Sequence, residues 1–502
     1  MHYKVRQLAN RNCQEQVRHR QKISIVWFFV DVMSSLQTKK GIEMTISRRS
    51  TIAGALTAAG ISSKPSLATD LEGNKSSSPS PLVMGPSVQG PRFNFEQAIR
   101  VMDELGIDGL VLGNGINVYH LTGHWPLTSR MGFPLSTIAV LARGTNGQPA
   151  LILPSFSYYF QLADHHDPAT YPVYIYTAPL ESEEQGQAEL GAPVTFFHNR
   201  GSMPMDTVEK RRFSLTKSAA QNIPSSANAA AALKRALKDY GLLKGVLATD
   251  IQELKNVVET VAPETKIQSA GTALSRIRPV KSAAEIALMR YAARANAEAA
   301  LAAVKQVVPG MTYRELRALY NAEAAQRGNI GTFMVVDRIS SDLYDQEIVD
   351  GQAFLIDAVS SYQGYHGDYG RTVFVGEPPA SVRRATTIMG IAWDEVRESL
   401  RPGMKFSEIR EKGQSTMKKL GFDYVVPFNP HSVGLFHTDH LSNDPDQAFM
   451  PDVVLEKDMI ISVDCPLLEM GVGGSAHLED LVLITEQGGE LLNDSGDQTI
   501  IV

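Results

Sequence analysis

The chain has 502 residues, 43% of them hydrophobic and 20% charged, with 39 Gly and 26 Pro. This is ordinary globular composition, with length for two or three domains that each bury a core. No stretch reaches the roughly 18–20 uninterrupted apolar residues of a membrane span, and the apolar run 23–33 is too short and contains Asp31.

The N-terminal region does not read as fold. Residues 44–68 carry a twin arginine (Arg48, Arg49), a mildly apolar stretch and small residues at Ser66 and Ala68. That is the layout of a twin-arginine export signal, which predicts a periplasmic or secreted protein; a disordered basic tail is the plainer alternative. Export signals sit at the very N-terminus, so Met44 is the expected start and residues 1–43 a mis-assigned extension. Residues 1–68 hold 11 Lys+Arg and 3 Asp+Glu; of the 48 and 54 in the whole chain, 37 and 51 lie beyond Ala68, a net charge of −14. So acidic a chain repels phosphate backbones, and nucleic acid is not an expected partner. Cys13 lies in the extension and Cys465 is alone after it, so no internal disulfide is expected.

Residues 69–90 are rich in Ser, Pro and Gly and predict a flexible leader. A helix follows, with Phe95, Ile99, Met102 and Leu105 on one face, ending at Gly106. The segments 107–113, 136–143 and 149–154 predict strands, and the Ala-rich segment 225–241 a helix. Strands alternating with helices indicate an α/β domain over residues 91–270.

A second domain, 271–502, opens on a helix whose start is marked by Ser282 and Glu285, a capping box. The helix stops at Pro309-Gly310. Segments 309–328 and 402–421 both begin Pro-Gly-Met, place Glu315-Leu316 and Glu408-Ile409 at the same offset, and end in Gly. Chance likeness of two amphipathic helices is one explanation. Duplication of a half-domain is the other, and it predicts a pseudo-two-fold arrangement with a site where the halves meet.

Carboxylates mark that site. The apolar run AFLID ends in Asp357, and Asp368 follows eleven residues later across a Gly-containing turn, so both can face one cleft. FNPHSVGLFHTDHL supplies His431 and His437, ISVDCP places Asp464 at a strand end, and SAHLEDLVLIT places Glu479 in the last strand. Four carboxylates and one imidazole make a hard-to-borderline donor set, suited to Mn, Fe, Co or Zn better than to Ca. His366 precedes Asp368 in the turn, as a solvated residue or a substrate contact. Asp439 and His440 could stand in for His437. His477 and Asp480 flank Glu479 and are expected on the opposite face; His165-His166 is expected at the surface.

The order Asp357, Asp368 with Arg371-Thr372, His431, Asp464 and Glu479 resembles that of the pita-bread metallopeptidases, the superfamily of methionine aminopeptidase, prolidase and aminopeptidase P. Segment 276–293 resembles the opening of their catalytic domains, and YHLTG (119–123) the N-terminal domain of the prolidase and creatinase branch. The resemblance implies an α/β creatinase-like N-terminal domain followed by an α+β pita-bread catalytic domain with an internal pseudo-two-fold repeat. It also implies two divalent metal ions, Mn foremost, a small peptide substrate and a homodimer. The implied reaction is that of an Xaa-Pro dipeptidase or aminopeptidase. In it Asp464 or Glu479 takes the proton of an attacking water and His437 stabilises the oxyanion. Three departures stand out. Asp464 occupies a position where the family has Glu, His437 follows His431 by six residues rather than about seven, and residues 329–351 contain no His. Two other readings use the same residues. The superfamily includes dimethylsulfoniopropionate lyases, whose spacing from Asp368 through His431, Asp464 and Glu479 looks closer to this chain, but with an acidic residue where His437 stands. A binding homologue without catalysis is the third, and the clustered carboxylates argue against it.

Overall fold

The computed structural model describes residues 85–133, 135–161, 171–177, 204–222, 225–440 and 452–502. The expected extension, the export signal, most of the leader and His165-His166 lie outside these residues. Residues 85–90, the end of the expected flexible leader, are fixed in place. The Pro86 carbonyl accepts from Gln363 Nε2 at 3.1 Å, the Val88 carbonyl accepts from Arg92 Nη2 at 2.8 Å, and Val88 packs on the apolar cluster around Tyr119, Met289 and Tyr362. Composition foretold the lack of regular structure, but these partners arrive from elsewhere in the sequence.

Strands β1 (Gly109–Leu112), β2 (Ile138–Ala142), β3 (Ala150–Pro154), β4 (Val173–Tyr176), β5 (Ser225–Ser226), β6 (Lys244–Thr249) and β7 (Glu264–Ser269) form one mixed sheet, in the order β5-β4-β3-β2-β1-β6-β7. The first three fall inside the predicted segments. They are apolar throughout because both faces are covered: Leu110 and Leu112 enter one core cluster and Val111 the other. The Ala-rich helix is observed as Ala229–Asp239, capped by Asn228. The helix Phe95–Glu104 turns its predicted face to the core, with Phe95, Met102 and Leu105 all in or against one apolar cluster. Ala98, Val101 and Met102 are enclosed, whereas Phe95 and Leu105 are only partly covered.

The remaining strands build two further sheets. Strands β8 (Ile330–Val336), β9 (Ala353–Tyr362), β10 (Tyr365–Phe374), β13 (Glu479–Asp480) and β16 (Thr499–Ile501) make a five-stranded sheet. Strands β11 (Asn429–Ser432), β12 (Ile460–Asp464), β14 (Val482–Thr485) and β15 (Gly488–Leu491) make a four-stranded one. The two repeat segments make matched local contacts. Helices Tyr313–Gln326 and Phe406–Lys419 start on matched residues, with Glu315 accepting from Thr312 N and Glu408 from Lys405 N. Gly310 N and Gly403 N donate to Ile348 O and Leu455 O, and Ile348 N and Leu455 N donate back to Met311 O and Met404 O. Counting on equally from Ile348 and Leu455, Asp357 and Asp464 occupy equivalent places.

The first long helix of this half, Ala283–Val304, has the expected capping box between Ser282 and Glu285. The Ser282 hydroxyl also donates to the Arg92 carbonyl. Ser282→Ala removes both bonds and is expected to lower stability by about 1–2 kcal/mol, read as a shift of the urea midpoint. No helix of the described residues is long and apolar enough to cross a membrane.

Candidate metal centre

Strand register gathers the acidic groups. Side chains alternate faces along a strand, so positions offset by two across an antiparallel pair share a face. Register pairs Asp357 with Gly370 and Val359 with Asp368, which puts Asp357 and Asp368 on one face of β9 and β10. The hairpin between them turns on Gln363-Gly364, both at positive φ, as a two-residue turn demands. In the other half, β11 and β12 pair Asn429 with Asp464 and His431 with Ser462, so His431 and Asp464 share a face in the same way. Strand β13 pairs Glu479 with Gly370, placing that glycine in a row between Asp357 and Glu479.

The groups converge. His431 Nε2 stands 3.6 Å from Asp368 Oδ2, from Asp464 Oδ2 and from Glu479 Oε1. Three oxygens equidistant from one nitrogen, all beyond hydrogen-bond reach, are spaced as ligands of a shared cation. Donors about 2.1 Å from a metal lie roughly 3.4 Å apart in a tetrahedral arrangement. His431 Nε2, Asp368 Oδ1 and Asp357 Oδ1 are buried with no hydrogen-bond partner among the described residues. Such orphaned groups are costly, and a divalent cation would satisfy them together. Asp357, His477 and Glu479 form a second group with ligand atoms within 4.8 Å of one another, as do Asp368, His431 and His437. The donor set therefore fits divalent metal.

Without metal the cluster is electrostatically strained. Burial and the neighbouring Glu479 and Asp368 raise the Asp357 carboxyl well above its usual range, and burial and Glu479 push Asp464 up to about 6. Burial opposes the charge on Glu479 too, but contacts from Asp464, His431 and His477 hold its carboxyl below the usual range. Burial alone would lower His431 and His437; the carboxylates beside them raise both.

The other histidines fall into distinct places. His437 Nε2 lies 3.1 Å from Asp368 Oδ2, and its ring packs edge-on against Phe333. Phe333 comes from the segment that lacks a histidine. His366 is on β10 rather than in a solvated turn; it is partly buried, and its Nδ1 bonds the Gly434 carbonyl. His440 accepts from Ser432 N and packs on Phe406, away from the carboxylates. Asp439 does not replace His437 either. It is buried in an ion pair with Lys281 at 2.6 Å and Arg278 at 3.3 Å, which pins the loop that carries His437.

One expectation is corrected. Asp480 does turn away from Glu479, to an ion pair with Arg371 at 2.7 Å, but His477 does not. Its Nε2 is 3.0 Å from Glu479 Oε2, inside the cluster. A residue two positions from Glu479 shares its face by the same period of two that turns Asp480 away, so the signal was in the sequence. Ser462, whose hydroxyl donates to Glu479 Oε1 at 2.7 Å, carried none. Nor did Gly370, where a Cβ would stand 2.2 Å from His477 Cδ2 and 2.8 Å from Glu479 Cβ. Gly370→Ala is expected to displace His477 and cost about 1–3 kcal/mol from overpacking, measured by denaturant unfolding.

Residues 287–486 match metallopeptidase family M24. The match and the relatives below support an enzyme of the metallopeptidase class, a hydrolase with the pita-bread fold. The chain is 26% identical over 261 residues to the Xaa-Pro dipeptidase of Pyrococcus furiosus, which spans 50% of this chain and 72% of that protein. It is 27% identical over 238 residues to a probable dipeptidase PepE of Mycobacterium bovis, across 46% of this chain and 62% of that one. Among solved structures, a dipeptidase from Pyrococcus horikoshii superposes with a TM-score of 0.56 at 17% identity, covering 81% of this chain and 99% of that chain. A prolidase from Thermococcus sibiricus gives 0.57 at 16% identity, covering 81% and 98%. These structural likenesses establish the fold, one of mixed α/β sheets.

Proposed function

We propose that this chain is an exported dinuclear-metal peptidase of Xaa-Pro dipeptidase or aminopeptidase type. The carrying observation is that two groups, His431-Asp464-Glu479 and Asp357-His477-Glu479, share Glu479 and face buried atoms that lack partners. The names of the relatives supply the substrate class. Asp357, Asp368, His431, Asp464 and Glu479 would hold two divalent ions, of Mn, Fe, Co or Zn character. Such ions supply Lewis acidity and make water a nucleophile at neutral pH.

Exposure assigns the remaining roles. The side chains of His437 and Asp464 are 35% and 29% exposed, whereas those of Asp368, His431 and Glu479 are sealed. Substrate therefore approaches from the His437 and Asp464 side. Asp464 rather than the enclosed Glu479 takes the proton of the attacking water, and His437 donates to the developing oxyanion. Asp is one methylene shorter than Glu, so turnover is slower than a Glu would give; misplacement near 1 Å costs on the order of a hundredfold. The seven-stranded sheet is the creatinase-like N-terminal domain (91–270) and the rest the pita-bread domain (271–502). The chain works as a homodimer, and Arg48-Arg49 direct it to the periplasm or beyond.

Purified protein, assayed for bound metal by elemental analysis and for turnover of Xaa-Pro dipeptides and a sulfonium substrate, tests the reading. About two ions with dipeptide hydrolysis support it. One iron with C–S cleavage, or a metal-free inert protein, overturns it. Retention of an Arg48→Lys, Arg49→Lys double variant in the cytoplasm, with wild type outside it, tests the export.

A further inference from the structure

The resemblance to prolidases implies one imidazole among the metal ligands. The structure puts a second one in reach. His477 is buried, with Nε2 3.0 Å from Glu479 Oε2. That is the separation of neighbouring donors about 2.1 Å from one octahedral cation. Its Nδ1 has no hydrogen-bond partner among the described residues, and neither has Asp357 Oδ1 in the same group.

The surroundings look built to hold this ring. His477 N donates to Thr372 Oγ1 at 2.9 Å and His477 O accepts from the same hydroxyl at 3.1 Å, which clamps its backbone against β10. The next residue back, Ala476, is bonded in both directions to Leu467. Gly370 then leaves the space over the strand that the imidazole fills. A side chain fixed at both flanks and packed over a required glycine has little freedom to turn away from Asp357 and Glu479.

We propose that His477 is a ligand of the second cation. Each ion then has one imidazole: His431 with Asp464 and Glu479, His477 with Asp357 and Glu479. Nitrogen at both positions softens the centre, so both sites favour Zn²⁺ and Co²⁺ over Mn²⁺ and Mg²⁺. The inference rests on the dinuclear reading given above.

The test uses the full chain, stripped of metal and titrated with Co²⁺, followed by visible absorption and by calorimetry. Wild type takes up two equivalents. His477→Gln keeps an amide donor for Glu479 but removes the imidazole; it is expected to hold one equivalent as wild type does and to bind the second at least about 100-fold more weakly. Two equivalents at wild-type affinity with an unchanged spectrum in His477→Gln overturn the inference and leave the dinuclear reading standing. Loss of both equivalents also overturns it, because His477 would then serve only to set Glu479. No Co²⁺ uptake by wild type overturns both. A second measurement avoids altering His477. In His437→Gln, which removes the other nearby imidazole, proton NMR of the Co²⁺ form is expected to show two hyperfine-shifted, exchangeable imidazole N–H signals. A single signal overturns the proposal.

Discussion

Glu479→Gln is expected to abolish retention of both cations and with it all peptidase activity. Glu479 belongs to both ligand groups, with Oε1 facing His431 and Oε2 facing His477. Replacing one carboxylate oxygen by an amide nitrogen removes the negative charge that both groups share and the donor atom of one of them. Losing an outer partner of a ligand already lowers metal affinity about 10–100-fold, so loss of a shared ligand lowers it by more than about 100-fold at both positions. Asp357→Asn, by contrast, belongs to one group and is expected to leave one ion in place. Elemental analysis after gel filtration, beside steady-state hydrolysis of an Xaa-Pro dipeptide, reads both outcomes. Full retention of two ions by Glu479→Gln would refute the shared role. The fold tolerates the change because Ser462 can still donate to the remaining oxygen.

Metal removal is expected to lower the melting temperature by at least about 5 °C near neutral pH. A ligand at a thousand times its dissociation constant adds about 4 kcal/mol per site, and each kcal/mol is roughly 2–4 °C in a domain of 150–250 residues. The pH dependence of the metal-free protein has a defined sign. Burial and Glu479 raise folded Asp464 to about 6 from 3.8, and the pull of Glu479 and Asp357 outweighs burial to raise His477 from 6.5 to about 9. A group raised in the folded state contributes stability that is complete below its unfolded value and is lost as pH rises through the folded one. Metal-free protein is therefore more stable at about pH 5.5 than at about pH 8.5. Glu479 runs the other way, but its lowered value puts that loss in acid, below this window. The loaded protein shows the opposite trend, since cations compete with protons for the same atoms. Thermal melts of both forms across that range decide the matter; a metal-free protein that gains stability with rising pH would contradict it.

Much of the site was legible because strand periodicity and chain order are local signals. The eleven residues from Asp357 to Asp368 are a hairpin's length, and two residues on either side of its turn suffice to fix the register. The capping boxes and the matched Pro-Gly-Met segments were equally visible, and they led to the repeat. What stayed hidden depends on partners far apart in sequence. The partners of residues 85–90 and the pairing of Asp439 with Lys281 depend on surfaces that exist only after folding. His477 was different, since its placement follows from the same alternation that located Glu479.

The contacts around Arg278 bear on how the molecule can be cut down. Its guanidinium reaches Asn117, which also donates to Asp250, and on its other side bonds the Asp439 carbonyl in the loop before His440. Burial opposes the charge on Asp439, and Lys281 and Arg278 together keep it ionised below the ordinary carboxylate range. Tyr119 and Trp125 are wedged into the apolar cluster formed by Leu288, Tyr365 and Leu435. A shortened protein beginning near residue 271 would thus bare a greasy surface and leave the loop of His437 without a brace, whatever metal it still carried.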